Sequence, residues 1–256
     1  MANNNDVHIS GGGKMAGGLY GSVYISGSGK LQGTVECETM HVSGACKVED
    51  GDLTVHGEIH CSGAAKVEGS LAAKSARVSG SMSAERSAAI EEALEVSGSF
   101  KCEGELRVGR LAVSGVCKTE GSISGNEISV SGVLKSSGDV QAERFSSTGA
   151  LNVDGLLNAE TVEIQLSGDS LVHSIGGGRV QIKKKLGGFM IFGFMRRPHL
   201  ASELIEADEI MLEYTDCETV RGVNVHIGPE CVIDRVEYSG NLTTDANCTI
   251  REKVKI

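Results

Sequence analysis

The sequence predicts an all-β chain folded as a single-stranded parallel β-helix, a β-solenoid with triangular coils of about 17 residues. Three observations predict it. The tripeptide [V/I]-S-G recurs at Ile9-Ser10-Gly11, Ile25-Ser26-Gly27, Val42-Ser43-Gly44, Val78-Ser79-Gly80 and again from Val96, Val113 and Val130. Degenerate copies are Cys61-Ser62-Gly63 and Ser147-Thr148-Gly149, and the central residues step by 16, 17, 19, 17, 18, 17, 17 and 17. Within a repeat, apolar residues come as alternating pairs, as in Leu94/Val96, Phe100/Cys102 and Leu106/Val108. Alternation by two is strand periodicity. Glycines six apart mark two corners, as in Gly98/Gly104 and Gly115/Gly121, where tolerance of φ > 0 suits a tight turn. The third corner carries [A/C]-[E/D]-x-apolar, as in Cys37-Glu38-Thr39-Met40 and Ala159-Glu160-Thr161-Val162.

Three short strands and three corners make one coil, and each coil buries its inner face only against its neighbours. Right-handedness is expected from the general preference of parallel crossovers. The order along the chain is then a polar tail (1–6), a main repeat region (7–182) and a cationic, hydrophobic insertion (183–199). Shorter C-terminal coils follow (200–256), because the third-corner pattern returns at Ala207-Asp208-Glu209-Ile210 and Cys217-Glu218-Thr219-Val220. The Ala/Glu-rich stretch at about 82–93 breaks the glycine pairing and is expected to form a short helical bulge.

Composition agrees with a thin, regular core. Of 256 residues, 40% are apolar, Gly numbers 35, Pro 2 and Tyr 4, and Trp is absent. The net charge of -10 argues against nucleic acid as a partner, because phosphate contacts need Lys/Arg-rich surfaces. MANNNDVHISGGGK has no apolar signal region, and no run approaches the roughly 18 apolar residues of a spanning helix. The eight cysteines form no CxxC pair and are expected to be reduced cytoplasmic thiols.

A Gly-punctuated coil of about 17 residues, together with IEADEIMLEYTDCETVRGVNVHIGPECVIDRVEYSG from Ile205 to Gly240, resembles the bactofilins, in particular the long bactofilin-related proteins of Gram-positive bacteria. The resemblance implies a right-handed β-helix that assembles end to end into non-polar, nucleotide-independent filaments. It also implies a membrane-associated scaffold for cell-shape, division or motility machinery, acting through client proteins. Many family members carry a short hydrophobic N-terminal targeting segment, and here the N-terminus is polar.

Two sets of residues are candidates for contacts. The first is the insertion KKKLGGFMIFGFMRR, with Lys183, Lys184, Lys185, Leu186, Phe189, Met190, Ile191, Phe192, Phe194, Met195, Arg196 and Arg197. Its apolar run is too short to span a bilayer but suits the membrane interface, with the flanking cations attracted to anionic lipid. The competing uses are covering a face or end of the solenoid itself, or docking in a neighbouring subunit or a partner protein. The second set is the coil ends, Val7 and Ile9 at one end and Leu242, Cys248 and Ile250 at the other, where unpaired edges and apolar inner residues favour a homopolymer. The charged REKVKI stretch opposes this at the C-terminal end.

Chemistry is not expected. Cys37, Cys46, Cys61, Cys102 and Cys117 fall on inward positions and read as small buried hydrophobes, whereas the alternation leaves Cys217, Cys231 and Cys248 unoriented. His56, His60 and Cys61 resemble a metal cluster when read linearly, but alternation points His60 outward and Cys61 inward. His41, His60 and Arg77 share one outward slot on successive coils and read as a surface ladder. VHIGPECVID, 225–234, is similar to the hexapeptide repeat of left-handed β-helix acyltransferases, which makes such an enzyme the alternative, with His226 as its base. Against it, His226 falls outward on a strand, and the unequal coil steps fit poorly. No column of converging acids and bases suggests a polysaccharide lyase or hydrolase. The expectation is a non-enzymatic, cofactor-free scaffold, peripheral at the cytoplasmic membrane.

Overall fold

The computed structural model describes residues 5–184 and 198–256, and every element in it is a β-strand or turn. The chain divides into two compact units, Met1–Asn126 and Glu127–Ile256. Each is a parallel β-solenoid.

In the first unit a coil consists of a short strand and a longer, bent one. Ser99–Cys102 followed by Leu106–Val113 is one such coil. Its residues pair in parallel with those one coil earlier: Phe100 with Met82, Leu106 with Ala88, Val113 with Val96. The partner of Phe100 on the next coil is Cys117. Six side chains point inward per coil, two from each face. In this coil they are Phe100, Cys102, Leu106, Val108, Leu111 and Val113, all buried. Each Val, Leu or Phe so buried contributes about 1.5–3 kcal/mol, and it does so only because the next coil covers it.

The corner glycines are needed for a reason other than the one expected from sequence. Among the described glycines only Gly18 and Gly33 have positive φ. The glycines that follow the corner serines stack instead. A Cβ on Gly44 would overlap the carbonyl oxygen of Gly27, and one on Gly63 would overlap that of Gly44. The series continues through Gly80, Gly98 and Gly115. The amide after each corner explains the fit: Ala45 N–H donates to Gly27 O at 2.8 Å, Ala64 N–H to Gly44 O at 2.8 Å, and Ser81 N–H to Gly63 O at 2.8 Å. Coils bonded this closely leave no room for a side chain at that position.

The expected helical bulge is strand. Ser81–Ala84 and Ala88–Val96 carry on the ladder, and the irregularity is one extra residue at the third corner. Ile90 pairs with Val108 and Ala93 with Arg110, so Glu91 and Glu92 together face Gly109. The helix-favouring Ala and Glu residues alternate in and out: Ala88, Ile90 and Leu94 are buried. Parallel pairing on both sides overrides local propensity.

In the second unit, Ile164 pairs with Ile182, Ile182 with Leu212, and Leu212 with Ile227. These steps are 18, 30 and 15 residues. The long step contains the insertion, which therefore leaves the ladder after Ser170–Lys184 and returns before Leu200–Leu212. The strands on either side of it pair directly, within one unit.

The first coil after the insertion is shorter, 15 residues from Leu200 to Thr215, with strands Leu200–Leu212 and Thr215–Ile227 of 13 residues each. Beyond it the register steps return to 16 from Cys217 to Ile233 and 17 from Ile233 to Ile250, and the strands shorten to 7 residues or fewer. The two residues by which the first coil falls short of 17 come from the first two corners. At the second corner, Cys217-Glu218-Thr219-Val220 lies in register with Ser202–Ile205. The pattern read as a third corner at Cys217 thus sits at the second, while Ala207, in register with Gly177, keeps the third. Several inward slots here hold hydroxyls: Ser202 Oγ donates to His173 O at 3.2 Å and Thr215 Oγ1 to Glu213 O at 3.0 Å. Satisfied in this way, a hydroxyl can stand in a Val-sized slot.

Candidate functional site: outward columns and coil ends

Parallel register turns each outward slot into a column. In the first unit one slot is occupied by Lys14, Lys30, Lys47, Lys66, Ser83, Lys101 and Lys118 on successive coils. Two residues on, after one inward side chain, stand Glu49, Glu68, Glu85, Glu103 and Glu120. The columns are cross-linked within and between coils. Lys47 Nζ lies 2.9 Å from Glu49 and 2.7 Å from Glu68, Lys66 is 2.7 Å from Glu85, and Lys118 is 2.7 Å from Glu120. Hydrogen bonds from Lys47 hold the Glu49 and Glu68 carboxyls below the usual carboxylate range, and both carboxylates raise Lys47. Sequence reading missed this zipper. Its signal is a constant offset, lysine four and glutamate six residues after the corner serine.

A second column carries rings. His8 stacks on Tyr24 with centroids 4.7 Å apart, Tyr24 on His41 at 5.0 Å, and His41 meets His60 at 6.0 Å and a tilt of 34°. Arg77 follows His60 in register and binds Glu58 and Glu95 at 3.3 and 3.1 Å. The ladder read from His41, His60 and Arg77 is therefore longer, beginning at His8. Nearby, His56 lies 2.7 Å from Glu36, which raises its pKa.

Seven of the eight cysteines are buried, Cys217 and Cys231 among them, and Cys248 is half-buried. Burial pushes Cys37, Cys46, Cys117, Cys217 and Cys231 up to about 12 and Cys61 up to about 11, with Cys102 also raised. These are packing groups, not nucleophiles. Among the described residues no group of three or more His, Cys, Asp or Glu side chains is placed to hold a metal ion.

His226 stands outward between buried Val225 and Ile227, as expected, and its Nδ1 is 2.9 Å from Thr243 Oγ1 on the next coil. A carboxylate that would orient the ring as a base is not bonded to it.

Of the insertion residues, Lys183 and Lys184 are described. Lys183 pairs with Gln165, and Lys184 places Nζ 4.9 Å from the Tyr214 ring while its N–H donates to Glu213 Oε2 at 3.2 Å. The remaining candidates, Lys185, Leu186, Phe189, Met190, Ile191, Phe192, Phe194, Met195, Arg196 and Arg197, lie outside the described residues. Among the described residues no helix is long and apolar enough to cross a membrane.

The end residues occupy the inward columns. Val7 and Ile9 pair with buried Val23 and Ile25 but are themselves half-buried. At the other end Ile250 pairs with buried Ile233 and Leu242 with buried Val225, both again half-buried. There the columns turn polar: Lys253 stands over Val236 and Thr244 over Ile227.

In the second unit the two slots of the zipper change character. There Lys135 is followed in register by Asn152, Leu171, Ala201, Asp216 and Val232, and the slot two residues on holds Ser137, Asp154, His173, Glu203, Glu218 and Asp234. A groove of about 470 Å³ runs between them.

No family model matches the chain, and no solved structure matches it. Two proteins of Bacillus subtilis (strain 168) do. The uncharacterized protein YhbE is 42% identical over 102 residues, 40% of this chain and 43% of YhbE. The uncharacterized protein YhbF is 35% identical over 102 residues, 40% of this chain and 42% of YhbF. The chain thus matches less than half the length of either relative.

Proposed function

We propose that this chain is a non-enzymatic, bactofilin-type scaffold that assembles end to end without nucleotide and associates with the inner face of a membrane. One observation carries the reading: inward apolar columns run out to half-buried Val7, Ile9, Leu242 and Ile250. A parallel ladder with an open edge and apolar inner residues is a template for another chain. The zipped Lys and Glu columns along the first unit carry little net charge on that face, which favours contact through the ends. The flanking cations of the insertion, in a chain of net charge -10, support the membrane part.

The test has two arms. Negative-stain microscopy of purified protein in physiological salt should show filaments, and a monomer by size exclusion with no filaments would sink the assembly reading. Cosedimentation with anionic liposomes should occur, weaken in high salt and be abolished by Phe192→Asp with Phe194→Asp while filaments persist. Liposome binding unchanged by that pair refutes the membrane reading.

A further inference from the structure

The groove of the second unit is where the zipper comes undone. In the first unit every carboxylate of the acidic column from Glu49 onward has a lysine in the slot beside it except Glu85, whose coil places Ser83 there and which pairs with Lys66 of the coil before at 2.7 Å. In the second unit that slot presents Leu171, 53% exposed, and Val232, 44% exposed, with Ala201 and Asp216 between them. Five carboxylates line the groove: Asp154, Glu203, Asp216, Glu218 and Asp234. Their neighbours neutralise them only in part. Glu203 lies 3.2 Å from His173 Nδ1, and Asp234 lies 2.9 Å from Arg251 at one end. Asp216 is 2.8 Å from His199 Nε2, without hydrogen-bond alignment. No cationic side chain among the described residues is within ion-pair distance of Asp154 or Glu218. Exposed apolar side chains beside a row of carboxylates suit a segment that is both cationic and apolar.

We propose that this groove is the docking site of the chain's own 185–197 stretch. Three observations favour that occupant. Its composition is the complement of the groove: Lys185, Arg196 and Arg197 for the carboxylates, Phe, Met and Ile for Leu171 and Val232. Its end lies at the groove, because His199 abuts Asp216 and Leu200–Leu212 begins one residue before Ala201. Its length suffices, since an extended residue spans up to about 3.6 Å and a step between coils about 4.8 Å. Thirteen residues therefore outreach the four coil steps from Asp154 to Asp234 about twofold. The proposal stands apart from end-to-end assembly, and it gives the segment a protein site from which a lipid surface would have to draw it.

The test uses the full chain with 185–197 replaced by a Gly/Ser stretch of equal length, its fold checked by circular dichroism. A fluorescent synthetic peptide of residues 183–197 is titrated into it and read by anisotropy. Saturable binding is expected, at least tenfold weaker when the host also carries Glu203→Gln and Glu218→Gln, and at least tenfold weaker on the unaltered chain, whose groove is filled. Absence of saturable binding, an affinity indifferent to the two substitutions, or equal binding by the unaltered chain overturns the proposal. Hydrogen exchange of the unaltered chain decides between its own segment and a neighbour's. Protection of 185–197 independent of concentration is expected, and protection that appears only at high concentration overturns docking within the chain. Filaments, read separately by microscopy, bear on the assembly reading alone.

Discussion

The α-carbon of Gly63 lies against the carbonyl oxygen of Gly44, the equivalent glycine one coil earlier, so closely that a Cβ has no place. The obstacle is backbone on both sides, held by the Ala64 N–H bond to Gly44 O at 2.8 Å. Gly63→Ala should therefore force two coils apart and cost about 1–3 kcal/mol, the range for overpacking. Gly11→Ala, at a glycine with nothing within 4 Å, should cost far less. Chemical denaturation of the two variants checks this, and equal effects would remove the stacking explanation.

What could be read from sequence follows from this stacking. Inward alternation is a local property of one coil, so Leu106/Val108 and Ile128/Val130 were legible as core pairs, and all four are buried. The reason for the glycines was not legible, because it lies in the coil below and not in the residue's own φ. The Lys47–Glu68 pair was hidden for the same reason: the partners are 21 residues apart in the chain and adjacent in the ladder. The Cys217 corner was misplaced because a second corner shortened by one residue takes on the sequence form of a third. The groove was invisible because it arises where a column of the second unit changes identity after Lys135, to Asn152, Leu171 and Val232, while the parallel pairing within that unit continues.

The thiols give a test of the core. With burial raising seven of them, only half-buried Cys248 should react quickly with a thiol reagent at pH 8. One equivalent is expected in the native state and eight after denaturation. Cys248→Ser should abolish the fast phase. Rapid labelling of Cys37 or Cys217, found by mass spectrometry, would contradict the packing.

The charge columns set the response to pH. Glu49 and Glu68 have folded pKa values below the ordinary 4.5, so their contribution is present above that value and is lost as pH falls through the folded ones. The thermal midpoint should fall on acidification below about pH 4.5, and Lys47→Met should flatten that fall. His56 acts with the opposite sign. Glu36 raises its pKa above 6.5, so its contribution is present below that value and is lost as pH rises through the folded one. His56→Gln should remove a small decline above about pH 6.5 and leave the acid limb untouched, and a variant that alters the acid limb instead would show that the two groups are coupled.

The insertion corner makes the strongest prediction about the fold. After the insertion, a coil passes from inward Leu212 to inward Thr215 through Glu213 and Tyr214, three steps along the chain. Deleting 185–199 joins Lys184 to Leu200 and leaves three steps from inward Ile182 to inward Leu200, through Lys183 and Lys184. That reproduces the later corner in length. In it Tyr214 has a φ of 52°, left-handed backbone that costs a non-glycine residue about 1–2 kcal/mol. Lys184 would inherit that position. The deletion should thus keep its strand content by circular dichroism and lose a few degrees in thermal midpoint. Adding Lys184→Gly should recover most of the loss, because glycine takes the left-handed region without penalty. An unfolded deletion variant, unrescued by glycine, would mean that 185–199 is needed to close the coil and is not an excursion from it.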